Sequence, residues 1–277
     1  PVWDSALASH ALLEAGDEAS RAAAEKALAW LKPRQILSMR GDWAWTKPQA
    51  EPGGWAFQYN NDYYPDIDDT AVIVMAMQRA APSHYKESID RAAAWIGGLQ
   101  SDNGGWAAFD ANNDKDYLNH IPFADHGALL DPPTSDLTAR CISMYGQLGC
   151  RPNESAALQK AVQYLLAEQK PDGSWFGRWG MNYIYGTWSA LCALNAIGVD
   201  ANHIAIRHAA AWLKDIQNDD GGWGEAGESY RLDHTTHTPA LSTPSQTAWA
   251  LLGLMAAGEV DAPEVERGVA YLIKTLD

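Results

Sequence analysis

The chain has 277 residues, of which 47% are hydrophobic, and its formal net charge is −15 at pH 7. This acidity argues against a nucleic-acid-binding protein, which needs a basic surface, and it gives no attraction to anionic lipid, although apolar membrane contact remains open. The three cysteines match no metal or redox spacing, so we expect reduced thiols in helix packing. No apolar run is long enough to predict a membrane-spanning helix.

An apolar segment that opens at a Ser or Thr recurs five times along the chain. Each segment ends eleven residues after its opening residue, and four of the five ends are glycine, the residue favoured directly after a helix. The segments therefore predict helices with small, apolar side chains. The opening residues are Ser5, Thr70, Thr138, Thr187 and Thr247.

A more amphipathic unit follows each apolar segment. In its first four copies a glutamine precedes a Gly-x-Trp sequence. This recurring order predicts that the tryptophans stabilise the fold while the glutamine caps helix ends. The fifth copy begins at Tyr271 and has Leu276 where the glutamine should lie. The four tryptophans are Trp43, Trp106, Trp175 and Trp223.

This alternation predicts an all-α protein with about five helical hairpins in one domain, residues 1–277. Apolar helices would form an inner layer and amphipathic helices an outer layer, closing as an α/α toroid of the (α/α)6-barrel type. The loops before three inner helices, at 53–65, 109–135 and 225–244, are longer than a helix pair needs. Such loops are usually functional or disordered, and the aromatic content of the first two argues against disorder.

The segment Asp66-Ile67-Asp68-Asp69 places three carboxyl groups within four residues at the start of a predicted inner helix. Like charges this close cannot all ionise in a secluded site, so at least one carboxyl would keep its proton near neutral pH and could act as a general acid. The alternative is a solvated helix N-terminus, where aspartate caps amides and complements the helix dipole. The segment alone leaves both interpretations open.

These motifs together resemble squalene–hopene cyclase, a family of class II triterpene cyclases. The resemblance rests on DIDDTA at 66–71, on GGWAFQY at 53–59, on the Gln…Gly-x-Trp units and on DPPTSDLTA at 131–139. It implies most of the C-terminal α/α-barrel domain of such an enzyme, truncated at both ends. It also implies acid-initiated cationic cyclisation of squalene to hopene or hopanol by the parent enzyme, without a cofactor, and an isolated piece that is inactive.

The resemblance implies Asp68 as the proton donor, with Asp66 and Asp69 as partners that shape its acidity. Family members often have a histidine on the next inner helix, where this chain has Arg140. Because a guanidinium does not release its proton as an imidazole does, Arg140 is expected to pair with Asp66 or Asp69 and leave Asp68 protonated. The alternative role of Arg140 is a structural ion pair with Asp136.

Aromatic side chains that stabilise carbocations through their ring faces are implied at six positions. They are Trp3, Phe57, Tyr64, Phe109, Trp179 and Tyr185. Phe109 departs from the tyrosine of well-known family members, so a hydroxyl role is in doubt there. Phe123, Ala124 and His126 match the constriction through which the substrate enters, although His126 could equally be an ordinary loop histidine.

No metal site is expected. Residues 110–116 begin like a calcium loop, but Lys115 replaces the required glycine and Ile121 replaces the closing glutamate. His234 and His237 have a metal-like spacing without an evident carboxylate partner.

The resemblance further implies partners and a location for the parent enzyme. It implies squalene or a related polyprenoid as substrate, monotopic contact with the cytoplasmic side of the inner membrane, contacts with the missing segments and a possible homodimer. Two other functions stay open. A class II diterpene cyclase also uses DxDD, but lacks this density of repeats. A non-catalytic α/α toroid would bind lipid or protein in its bore, where burying three unpaired acids would be costly.

Overall fold

The computed structural model of this chain describes residues 1–115, 130–231 and 236–276. Within them, the short strands β1 (Trp55–Ala56) and β2 (Pro65–Asp66) pair antiparallel, with Trp55 opposite Asp66. The helices are α1 (Val2–Ala15), α2 (Glu18–Leu31), α3 (Trp43–Thr46), α4 (Ile67–Ala80), α5 (Pro82–Gly98), α6 (Ser135–Gln147), α7 (Ala156–Ala167), α8 (Tyr183–Ala196), α9 (Ile204–Asp215), α10 (Pro244–Ala256) and α11 (Pro263–Lys274).

Apart from the short α3, the described helices follow one another in five pairs, as expected for five hairpins. The chain divides into two compact units, one of residues 1–133 with 147–157 and one of residues 134–146 with 158–277. In the first unit, α4 packs against α1, α2 and α5. In the second unit, α10 packs against α8, α9 and α11.

Burial separates the apolar helices from the amphipathic ones. Helix α4 is buried without interruption from Ile67 to Met77, and α8 is buried along most of its length. Helices α5 and α9 instead bury only some of their positions, as the alternating pattern predicts. Helices α1 and α10 are less covered, because Leu7 is 41% exposed and Leu252 and Met255 are each 47% exposed.

Four of the five predicted inner-helix ends are glycines with a left-handed backbone. Their φ angles lie between 73° and 89°, a region that glycine enters without steric strain. These glycines are Gly16, Gly149, Gly198 and Gly258. The fifth end, Ala81, is extended and leads directly into Pro82, which lacks a backbone N–H and therefore suits the first turn of α5.

The repeated glutamines connect each outer helix to the next one. The side-chain amide of Gln100 donates to the carbonyl of Gly104 at 2.8 Å and to the carbonyl of Ala157, on α7, at 2.9 Å. Each of the other three copies likewise joins a loop carbonyl to a carbonyl of the following outer helix. These copies are Gln35, Gln169 and Gln217.

Three of the predicted stabilising tryptophans hold the end of the preceding outer helix. The buried indoles of Trp106, Trp175 and Trp223 donate to helix carbonyls at 2.6 to 2.7 Å. Each bond satisfies a carbonyl near a helix end, where intrahelical donors run out. The prediction is therefore confirmed for these three residues.

The first copy differs from the prediction, because Trp55 and not Trp43 has this role. The indole of Trp55 donates to the Leu31 carbonyl at 2.8 Å, and Gln35 donates to Gly53. The buried Trp43 indole N–H has no hydrogen-bond partner. Trp43 still stabilises the core, where it packs edge-on against Trp95 with ring centroids 6.0 Å apart. It does not hold the helix end, because α3 and the residues after it lie between Gln35 and Trp55, which completes the repeat.

We expect Trp55→Phe to lower the free energy of unfolding by about 1–2 kcal/mol more than Trp43→Phe does. Both tryptophans are buried, so both changes remove a similar ring area, but only Trp55→Phe deletes a hydrogen bond. Denaturant unfolding of the two variants, followed by circular dichroism, measures the difference. A larger loss for Trp43→Phe would contradict the corrected assignment.

Candidate functional site

Three carboxyl groups lie at the start of α4, and all three are buried. Asp66 is the N-cap residue, and its Oδ1 accepts a hydrogen bond from the backbone N–H of Asp69 at 3.0 Å. The exposed fractions of Asp66, Asp68 and Asp69 are 7%, 9% and 1%. Asp66 therefore caps α4, as one interpretation of the sequence predicts. The helix start is buried, so the prediction that it is solvated is wrong.

Burial changes the protonation of this cluster. Burial and the charges of Asp69 and Asp68 raise the pKa of Asp66 well above its ordinary value. Burial and the Asp68 charge raise the pKa of Asp69 to about 7. The Oδ1 atom of Asp69 is buried without a hydrogen-bond partner, which is less costly for a neutral carboxyl than for a carboxylate. The cluster therefore retains protons near neutral pH, as the residue spacing predicts.

Two of the predicted aromatic residues meet in the first unit. Tyr64 and Phe109 line one cavity of about 180 Å³, together with Asp42 and Asp110. The hydroxyl of Tyr64 donates to the carboxylate of Asp42 at 3.3 Å, and burial followed by the charge of Asp131 raises the pKa of Asp110. The cavity thus has both aromatic and acidic walls.

Trp3 and Phe57 do not line this cavity. Phe57 is 50% exposed and Trp3 is partly buried. Their assignment to a substrate cavity stays a prediction.

Arg140, Trp179 and Tyr185 lie in the second unit. The guanidinium of Arg140 donates to the Tyr185 hydroxyl at 3.2 Å and lies 5.6 Å from the ring centroid of Trp188. The backbone N–H of Trp179 donates to the Asp136 carboxylate at 2.8 Å. These contacts place a cation beside two aromatic rings. Neither proposed ion pair of Arg140 is tested by them.

Gly180, which follows Trp179, packs closely against Tyr185. A Cβ atom on Gly180 would lie 2.5 Å from the Tyr185 ring, so the turn after Trp179 can pack on this ring only because residue 180 is glycine. The structure therefore places the residue after Trp179 against the Tyr185 ring.

Two tryptophans that were not predicted as site residues lie next to Tyr185. Trp188 and Trp249 stack with ring centroids 6.0 Å apart, and Tyr185 meets both rings edge-on, at 5.3 and 5.0 Å. The available signal was their position, since Trp188 follows Thr187 directly and Trp249 comes two residues after Thr247.

A second missed residue type is the buried carboxylate that holds a helix start. Glu225 is 4% exposed, and it accepts from the backbone N–H groups of Asn182, Tyr183 and Ile184, each at 3.1 Å. These donors lie at the beginning of α8 and lack partners within the helix. Glu225 therefore fixes the helix that carries Tyr185.

Several predicted residues lie outside the described part of the chain, namely Phe123, Ala124, His126 and His234. The ring nitrogen Nε2 of His237 lies 3.2 Å from the Gly224 carbonyl. In the described ranges, no three His, Cys, Asp or Glu side chains are grouped so that they could hold a metal ion. No described helix is both long enough and apolar enough to cross a membrane.

Comparisons with known proteins give a family. The model of the squalene-hopene cyclase C-terminal domain matches residues 1–277. The chain is 59% identical to the squalene–hopene cyclase of Zymomonas mobilis and 61% identical to that of Bradyrhizobium diazoefficiens, over 100% and 99% of its own length. It spans only 43% and 42% of the length of these relatives.

A solved structure supports the fold. The type II terpene cyclase from Scytonema, in complex with geranylgeranyl dihydroxybenzoate, superposes with a TM-score of 0.68 at 20% identity, over 99% of this chain and 68% of that one. At this identity the likeness shows the fold alone, and it confirms the α/α toroid class that the repeats predict.

We expect the stability of the protein to fall as the pH rises from 3.8 to about 7, the interval between the ordinary and the folded-state pKa of Asp69. In this interval the folded state binds more protons than the unfolded state, so unfolding becomes easier as the pH rises. The stabilisation is complete below the lower value and is lost through the upper one. Asp69→Asn should therefore remove much of this fall, on the order of a few kcal/mol.

Thermal unfolding between pH 4 and pH 7 measures this dependence, with Asp62→Asn as the matched control. Asp62 is an exposed carboxyl. Equal pH dependence in wild type and Asp69→Asn would show that Asp69 holds no proton in this interval.

Proposed function

The chain belongs to the squalene–hopene cyclase family, as a match to its C-terminal domain, and from this premise we propose that it forms the acid-bearing part of an enzyme that cyclises squalene through carbocations. The observation that carries the proposal is the buried cluster of Asp66, Asp68 and Asp69, in which two carboxyls have raised pKa values. Lipid binding alone gives no reason to bury three acids.

The chemistry begins with an alkene, because squalene has no ionisable group. Protonating a carbon–carbon double bond requires a strong acid that is kept away from water. Asp68 donates the proton to one carbon of a terminal double bond, and the π electrons of that bond form the new C–H bond. The other carbon becomes a tertiary cation, and Asp68 is left as a carboxylate.

The rings then close without further proton transfer from the protein. Each remaining double bond attacks the cation before it, so that a new carbon–carbon bond forms and the positive charge moves along the chain. The last cation either loses a proton from a neighbouring carbon to water, which gives hopene, or adds water and then loses a proton from the added oxygen to a second water, which gives hopanol. No cofactor takes part in these steps.

Aromatic faces stabilise the moving charge without reacting with it. Phe109 and Tyr64 are proposed for this role in the first unit, where they share a cavity. In the second unit we assign it to Trp179 and Tyr185. Trp3 and Phe57 complete the set that the family resemblance implies.

Arg140 is proposed to set the protonation of the acid cluster by pairing with Asp66 or Asp69. A permanent positive charge near a carboxyl favours its ionised form. The pairing would place a fixed charge beside Asp68, the proposed proton donor. The bond from Arg140 to the Tyr185 hydroxyl supports a fixed position for the guanidinium.

The substrate suggests where the enzyme works. Squalene and related polyprenoids dissolve in the bilayer, so we propose monotopic contact with the cytoplasmic side of the inner membrane. Phe123, Ala124 and His126 are proposed to form the apolar passage through which the substrate enters. A homodimer is one assembly compatible with this arrangement.

We expect Asp68→Asn to reduce squalene conversion by at least about 10³-fold, because it removes the initiating proton and keeps the side-chain shape. Asp66→Asn and Asp69→Asn should be strongly impaired too, since coupled carboxyls share protons. Gas chromatography measures conversion by the full-length protein, which is the parent enzyme that contains this chain. Circular dichroism checks its fold. Exposed Asp62→Asn is the control. A folded Asp68→Asn protein with most of its activity would disprove the assignment.

We expect Arg140→Ala to lower the rate and to move the pH–rate profile upward by about one unit, because losing a nearby positive charge raises the pKa of a carboxyl. Tyr185→Phe is the matched control, since it removes the same hydrogen bond and keeps the guanidinium charge. Rates measured from pH 5 to pH 8 give both profiles. An unshifted Arg140→Ala profile with a lower melting temperature would favour a purely structural role.

A further inference from the structure

One buried carboxylate, Asp131, holds three consecutive backbone amides of the long loop before α6. Asp131 is 9% exposed, and its Oδ1 accepts from the N–H of Ala108 at 3.1 Å. Its Oδ2 accepts from the N–H groups of Phe109 and Asp110, at 2.6 and 3.0 Å. A carboxylate can receive all three bonds because both oxygens are acceptors. The backbone around Phe109 therefore has one defined position.

The same segment also holds the start of α4. The carbonyl of Ala108 accepts a hydrogen bond from the backbone N–H of Ile67 at 2.8 Å. Ile67 lies between Asp66 and Asp68 and is completely buried. Its N–H belongs to the first turn, where no intrahelical acceptor exists. A displacement of residue 108 would therefore reach the acid cluster through one hydrogen bond.

Asp131 does not belong to the acid cluster itself. It lines the 180 Å³ cavity that Phe109 and Tyr64 also line. The residues after it, Pro132 and Pro133, have restricted φ angles, so the backbone that carries the carboxylate is itself stiff. The Asp131 carboxylate thus fixes the backbone of residues 108–110 directly, and the start of α4 through the hydrogen bond between Ile67 and Ala108.

We propose that Asp131 is a positioning residue for cyclisation. It holds the Phe109 ring and the first turn of α4 in fixed positions around the same substrate. This inference rests on the proposed function. The carboxylate does not touch the reacting atoms. It acts through the amides of residues 108–110, and through them on Ile67.

Asp131→Asn tests the mechanical part of this proposal. The amide has one acceptor oxygen where the carboxylate has two, so at least one of the three bonds is lost and an N–H group faces another N–H group. Hydrogen exchange of the full-length protein, mapped by mass spectrometry, should become roughly tenfold faster or more in peptides that contain residues 108–110 and Ile67.

Glu225→Gln is the matched control, because Glu225 also holds three consecutive amides. It should speed exchange at residues 182–184 and leave Ile67 and residues 108–110 unchanged. Faster exchange at Ile67 in both variants would indicate general loosening and would overturn the specific connection from Asp131.

The product mixture tests the chemical part. In Asp131→Asn, kcat for squalene should fall roughly ten- to a hundredfold with little change in KM, because misplaced groups cost rate more than binding. Incompletely cyclised products should appear, since a displaced Phe109 ring stabilises its cation less well. In a Phe109→Ala background, Asp131→Asn should add no further change to the product ratios.

The outcomes of these experiments distinguish failure of the positioning role of Asp131 from failure of the proposed function. A wild-type product ratio with unchanged exchange at Ile67 in Asp131→Asn would overturn the positioning role, even if the melting temperature falls. If the wild-type full-length protein converts no squalene, the proposed function fails. Exchange at Ile67 then decides separately whether Asp131 positions α4.

Discussion

The fold depends on side chains that satisfy backbone groups where the outer helices end and the inner helices begin. In one repeat, Gln169 donates to two carbonyls while the indole of Trp175 donates to the Leu165 carbonyl. The backbone N–H of Trp175 then donates to the hydroxyl of Thr187, near the start of α8. One outer-helix end, its loop and the next inner-helix start are thereby fixed together. Leaving such buried groups unpaired would destabilise every repeat.

The inner-helix starts favour anions, because their first N–H groups lack acceptors within the helix. At the start of α8, one carboxylate, Glu225, accepts hydrogen bonds from three backbone N–H groups. At α4 three carboxyls compete for the same small region, and Asp66 takes the capping position. The excess negative charge is costly in a buried place, so protons are retained, most clearly on Asp66 and Asp69. Carboxyl groups at a helix start, a common feature of helices, here retain protons because they are buried together.

Much of the fold follows from local sequence, because helix ends and apolar periodicity involve residues close together in the chain. The glycine at position 198 and the tryptophan at position 175 are both placed as the repeats predict. The first repeat shows the limit. Two Gly-x-Trp sequences follow Gln35, and local spacing favours Trp43. Tertiary packing instead gives the helix-end hydrogen bond to Trp55. The residue before it, Gly54, lies so close to the Trp95 ring that a Cβ atom there would be 2.6 Å from it.

The sequence by itself determined that three carboxyls crowd one helix start, because residues 66–69 lie within a single turn whatever surrounds them. Only the tertiary structure decided that this turn is buried, which raises the pKa of Asp69 to about 7. It also decided that Arg140 meets Tyr185 and that Asp131 holds the backbone of Phe109. These partners are 45 and 22 residues apart. Contacts at such separations depend on how helices pack, and no local pattern encodes them.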